Sequence, residues 1–132
     1  MKRNGFTLVE LLAVIAILAI VALITTPVIF DVINNSKMST FTRSVEEMEN
    51  VAIMDYNEYA RGGEVTYVYG ENSLVCSLCD NGADLELDFT GEIEDGNGTI
   101  TVLNGEVISL NIENNQFRAL YTDGELEVLK KE

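Results

Sequence analysis

Histidine is absent from this 132-residue chain, and cysteine occurs only twice. Without an imidazole there is no Ser–His or Cys–His pair, so nucleophilic or general-base catalysis lacks its usual partner near neutral pH. The two cysteines fall in Cys76-Ser77-Leu78-Cys79. With no further cysteine and no histidine, this C-x-x-C pair cannot complete a four-ligand zinc site of Cys and His from its own chain. No βαβ pattern precedes it, which a thioredoxin-like motif would need, and no phosphate-binding glycine loop occurs. Cations are also scarce: eight Lys and Arg stand against 22 Asp and Glu, a formal net charge of −14. Direct nucleic-acid binding wants the opposite sign, whereas a surplus of anions suits a soluble, self-repelling surface.

Charge disappears entirely from Leu11 to Phe30, and Leu11 to Ile24 is uniformly apolar. From Phe6 to Ile24, nineteen residues rising about 1.5 Å each cover roughly 28 Å, the hydrocarbon thickness of a bilayer. One such run exists, so one membrane span is expected. An ordinary secretory signal has a shorter apolar region and ends at an A-x-A site, and no such site follows the run before Pro27. Glu10 sits at the mouth of the run, where a carboxylate calls for a partner because buried charge in lipid is costly. Two readings apply to it. Thr7-Leu8-Val9-Glu10 has the S/T-x-x-E spacing of a capping box, in which Glu10 would serve a helix start. Alternatively, Glu10 awaits a positive charge from outside its own helix.

The stretch Gly5-Phe6-Thr7-Leu8-Val9-Glu10-Leu11-Leu12, preceded by Lys2 and Arg3, resembles the processing signal of type IV pilins and of the pseudopilins of type II secretion and competence systems. The resemblance covers Lys2 to about Pro27. It implies cleavage between Gly5 and Phe6 by a prepilin peptidase, methylation of Phe6, and assembly through the apolar helix with identical or related subunits. It also implies that Glu10 pairs with the cationic amino terminus of a neighbouring subunit. Loss of Lys2 and Arg3 with the leader would leave six cations against 22 anions, a net −16. The positive-inside rule places Lys2 and Arg3 in the cytoplasm and the carboxyl-terminal part outside.

Pro27 removes one intrahelical hydrogen bond and crowds the Leu23 carbonyl, so a kink or local melting is expected there, with Thr25 and Thr26 satisfying some freed groups. Relatives often carry a proline at a matching place, and the resemblance suggests that the helix bends there in the filament. Helical pattern then resumes. Met38, Phe41, Val45, Met48, Ala52, Tyr56 and Tyr59 share one arc of a 3.6-residue period, and Arg43, Glu47, Asn50, Asn57, Glu58 and Arg61 fall outside it. Arg61 would lie in the last turn, before the stop signal Gly62-Gly63.

A short strand is read at Val65 to Tyr69, and then a transition containing Cys76 and Cys79, which form a local disulfide or remain two thiols. Closing so short a loop is worth only about 2 kcal/mol, and a structural role follows from export. Asp84 to Phe89 alternates Leu85, Leu87 and Phe89 against Asp84, Glu86 and Asp88. That face reads as solvated acid, since the spacing of a calcium loop is missing around it and Glu92, Glu94 and Asp95. Asn104-Gly105, Asn114-Asn115 and Asp123-Gly124 are turn pairs of a meander. Two-residue turns would set Ile112 against Phe117, Leu110 against Ala119 and Ile108 against Tyr121, then Tyr121 against Leu126 and Ala119 against Val128. The first hairpin breaks this pattern, because Ile100 and Val102 would face the wrong side unless a bulge intervenes or the strand packs elsewhere.

The expected fold is α+β: a long amino-terminal helix, half membrane segment and half amphipathic, against a small antiparallel sheet. Its segments are a leader (1–5), a transmembrane or filament-core helix (6–30), an amphipathic helix (31–61) and a carboxyl-terminal loop and sheet region (62–132). Many pilins bracket their last strands with a disulfide. The Cys pair here precedes the sheet, so an adhesive loop is not carried over. Three functions follow: a subunit of a type IV pilus or similar filament, a pseudopilin, or a membrane-tethered redox protein using Cys76 and Cys79. The first is preferred and is not an enzyme. No cofactor or metal is expected. The expected partners are related pilin subunits, the peptidase and methyltransferase, the assembly machinery, and membrane lipid before assembly.

Overall fold

The computed structural model describes residues 5–59, 61–80 and 82–132. Its elements run α1 (Leu8–Glu58), β1 (Glu64–Gly70), β2 (Ser73–Asp80), β3 (Ala83–Leu87), β4 (Asn97–Leu103), β5 (Glu106–Glu113), β6 (Phe117–Thr122) and β7 (Glu125–Lys130). The chain divides into two units, Met1–Lys37 and Met38–Glu132.

In the first unit every described residue is exposed, the apolar ones included. A helix whose apolar residues cover its whole circumference buries itself in lipid or against other helices, and this stretch is long and apolar enough to cross a membrane. Pro27 lies inside α1, which continues through it without melting. The Thr25 hydroxyl donates to the Val21 carbonyl at 2.9 Å and that of Thr26 to Ala22 at 2.6 Å. They therefore back-bond to earlier carbonyls than that of Leu23, the acceptor that Pro27 leaves without its amide.

The second unit is built on a seven-stranded antiparallel sheet in the order β3-β2-β1-β4-β5-β6-β7. Phe41, Val45, Met48, Ala52 and Tyr56 form the buried stripe of α1 and meet Tyr67, Tyr69, Leu74, Ile100, Ile112 and Phe117 from the sheet. Each fully buried side chain of the size of Val45 or Met48 contributes about 1.5–3 kcal/mol. The α+β arrangement is the expected one. Two ends of the stripe differ: Met38 is half-buried and Tyr59 is exposed.

β2 was not expected, because Ser73 to Cys79 lacks a clean alternation. It forms because Glu71 and Asn72 both adopt positive φ, 51° and 60°, and set Gly70 opposite Ser73 in a two-residue turn. The turns at Asn104-Gly105 and Asp123-Gly124 use the same left-handed pair of conformations. The last hairpin has the expected register, Tyr121 opposite Leu126 and Ala119 opposite Val128. The middle one is corrected by two residues: Ile112 faces Ala119, not Phe117. The cause is a wider loop, in which the Asn114 side-chain oxygen accepts from the Gln116 and Phe117 amides at 2.8 and 2.7 Å. A shift of two preserves the faces. The first hairpin carries a bulge, with Thr101 opposite Ser109 but Val102 opposite Val107. Ile100 and Val102 thereby turn inward, Val107 is buried at 7% exposure, and Ile108, expected inside, stands out at 48%.

β3 ends at Leu87, two residues earlier than expected, and Phe89 packs edge-on against Tyr69 at 5.7 Å. Glu86, Glu92 and Glu94 are exposed, as a solvated acidic face requires.

Candidate functional site

The amino-terminal site starts from Thr7. It precedes the first helical residue, Leu8, so its side chain is placed to serve the free amides of the first turn. Its hydroxyl accepts from the Glu10 amide at 3.2 Å, and Glu10 Oε2 accepts from the Thr7 amide at 3.2 Å. This is the reciprocal capping box that the spacing implied. Among the described residues no cation pairs with Glu10. Gly5 and Phe6 precede the helix and are exposed, and a Cβ built on Gly5 would touch nothing within 4 Å. The fold therefore does not demand glycine at position 5. Lys2 and Arg3, which carry the expected orientation, lie outside the described residues.

A second polar site lies in the other unit. Cys76 and Cys79 form a disulfide with Cα atoms 5.6 Å apart. Beside them is Asp55, an acid inside the buried arc of α1. Arg61 reaches back to it, with Nε donating to Oδ2 at 2.8 Å and Nη2 to Oδ1 at 3.3 Å. The two side chains are 5% and 14% exposed. Arg61 Nη1 also donates to the Cys79 carbonyl at 3.1 Å, and the fully buried Tyr67 donates its hydroxyl to Asp55 Oδ2 at 2.9 Å.

Arg61 is thus not in the last helical turn, as its sequence position implied. α1 ends at Glu58, and the Arg61 amide donates to the Tyr56 carbonyl at 3.0 Å in a six-to-one closure that swings the guanidinium onto Asp55. Burial, with the adjacent Asp55 carboxylate, raises the Tyr67 phenol above its ordinary value. Hydrogen bonding to Asp55 raises the Arg61 guanidinium in turn. Sequence reasoning missed Asp55, although a signal was present: it falls three residues after Ala52, within the apolar stripe, and six before an arginine. The structure does not bring this cluster and the Glu10 site into one unit.

Residues 1–26 match the prokaryotic N-terminal methylation motif, the signal of type IV pilins and pseudopilins. No curated protein and no solved structure matches the chain. The motif supports a pilin-like or pseudopilin precursor and implies processing by a prepilin peptidase and assembly into filaments, and the apolar amino-terminal helix fits a membrane anchor.

Proposed function

We propose that the chain is a structural subunit of a type IV pilus or pilus-like filament, cleaved between Gly5 and Phe6 and methylated on Phe6. The methylation motif carries this reading, and it points to a structural subunit rather than an enzyme. The exposed apolar surface of α1 supports it further. In the membrane that surface contacts lipid. In the filament, contacts with other helices replace the lipid, so extraction by the assembly machinery need not expose it to water.

Glu10 then has two successive roles. In the free subunit it caps its own helix. In the filament it pairs with the methylated amine of Phe6 on a neighbouring subunit, which neutralises two charges in a low dielectric. Pro27 marks the place where the helix bends as subunits pack. Lys2 and Arg3 hold the leader on the cytoplasmic side, and the second unit lies outside the cell. With 22 acids against eight Lys and Arg, a net charge of −14, the chain gives no basis for DNA capture by this subunit.

Intact mass spectrometry on filaments sheared from the native host tests this reading. A chain starting at Phe6 and carrying one extra methyl group is the expected result. Confinement of that processed form to the membrane fraction would assign the chain instead to the pseudopilins of a secretion or competence system.

A further inference from the structure

Asp55, Cys76 and Cys79 each present one ligand atom to a common point: a carboxylate oxygen and two sulfurs, all within 4.8 Å of one another. Residues three apart in a regular strand face opposite sides of the sheet. The register irregularity between Cys76 and Asp80 lets these two sulfurs meet. The geometry points to a zinc-class divalent cation site formed by Asp55, Cys76 and Cys79 when the two cysteines are thiols.

Three observations carry it. First, a tetrahedral centre with metal–sulfur bonds of about 2.3 Å and metal–oxygen bonds of about 2.0 Å needs ligand atoms roughly 3.5–3.8 Å apart, a separation reached by small side-chain rotations. Second, the outer contacts of a metal-bound carboxylate are already in place. Arg61 and Tyr67 donate to Asp55 and fix its plane. Two thiolates and a carboxylate around a dication leave one negative charge, and the Arg61 guanidinium cancels it. Third, Cys79 and Arg61 line a pocket open to solvent, shared with Gly62, Thr66 and Ser77, where water supplies the fourth ligand.

The metal-bound and disulfide states exclude each other. The chain is synthesised with two thiols, and binding the cation releases their two protons to solvent. Entry from the disulfide needs a dithiol reductant. The Cys76–Cys79 bond breaks, the reductant closes its own disulfide, and its two protons pass to the cysteine sulfurs.

Full-length chain in detergent micelles, reduced anaerobically with a phosphine that takes its oxygen from water, is titrated with Co2+. One equivalent is expected to produce a thiolate-to-cobalt charge-transfer band with the visible bands of a four-coordinate centre, both bleached by equimolar Zn2+. Exposed carboxylates give no such band. Cys79→Ser should abolish it, and Asp55→Asn should weaken binding at least about tenfold. Asp55→Cys, which retains a ligand if Asp55→Asn unfolds, should raise the band by about half through a third thiolate. No band from reduced chain with two titratable thiols overturns the site. So does unchanged affinity in folded Asp55→Asn, or an unchanged band in Asp55→Cys.

Discussion

Arg61→Met removes the buried ion pair of the second unit together with the Nη1 donation to the Cys79 carbonyl. The substitution keeps an apolar stem but strips Asp55 of its contacts at 2.8 and 3.3 Å, leaving the Tyr67 hydroxyl as the donor at 2.9 Å. Removing one partner of a buried pair costs about 3–5 kcal/mol, because the other charge is left desolvated. The Arg61 side chain is 14% exposed, so water can enter its place, and the lower end, about 3 kcal/mol, is expected. Adding Asp55→Asn removes the stranded charge and should restore about 1.5 kcal/mol or more, a clear departure from additivity. The assay is urea unfolding of the full chain in micelles, read by tyrosine near-UV circular dichroism, since the chain has five Tyr and no Trp. A loss below about 1 kcal/mol at unchanged m, or no recovery in the double variant, would show that the carboxylate is hydrated and that the pair adds nothing beyond a surface contact.

Tyr67 has its phenol raised in the folded state, so its contribution is fully present below the ordinary value near 10.0 and is lost as pH rises toward the folded value. Unfolding free energy should fall above about pH 10 by up to about 1.4 kcal/mol per pH unit, and Tyr67→Phe should flatten that decline while lowering stability at neutral pH. Gly98→Ala would bring its Cβ to 2.0 Å from the Asn111 carbonyl oxygen and 2.7 Å from Ile112 Cα. The β4–β5 pairing must open to admit it, and a loss of about 3 kcal/mol or more in the same urea assay is expected. Gly5→Leu should leave the circular dichroism spectrum unchanged, because a Cβ built at Gly5 has nothing within 4 Å, yet block leader removal on a mobility gel. Glu10→Ala should be processed and membrane-inserted but recovered poorly in sheared filaments; normal recovery would refute the pairing role.

Much of the fold is legible in local pattern. The apolar run, the arc from Phe41 to Tyr56 and the Asp123-Gly124 hairpin all follow from periodicity and turn chemistry, which depend on neighbours within a few residues. The faces of β5 and β6 were also readable, even though the middle turn slipped by two, because such a slip returns every side chain to its own side. Ile108 was not readable. A bulge exchanges its place with Val107, and it is chosen by how β4 must present Ile100 and Val102 to the core. The amino-terminal signal from Gly5 to Glu10 is linear, so it needed no fold to be seen.

The sequence alone determined a single apolar helix with an acid at its mouth, an amphipathic continuation and an acidic, strand-rich carboxyl-terminal part. These properties reside in composition and spacing. Only the tertiary structure decided what surrounds Cys76 and Cys79. Asp55 comes from α1, Arg61 from the chain that leaves it, and Tyr67 from β1. A helix and two strands pack them together, because a carboxylate in the buried stripe must find donors wherever the chain folds back to meet it.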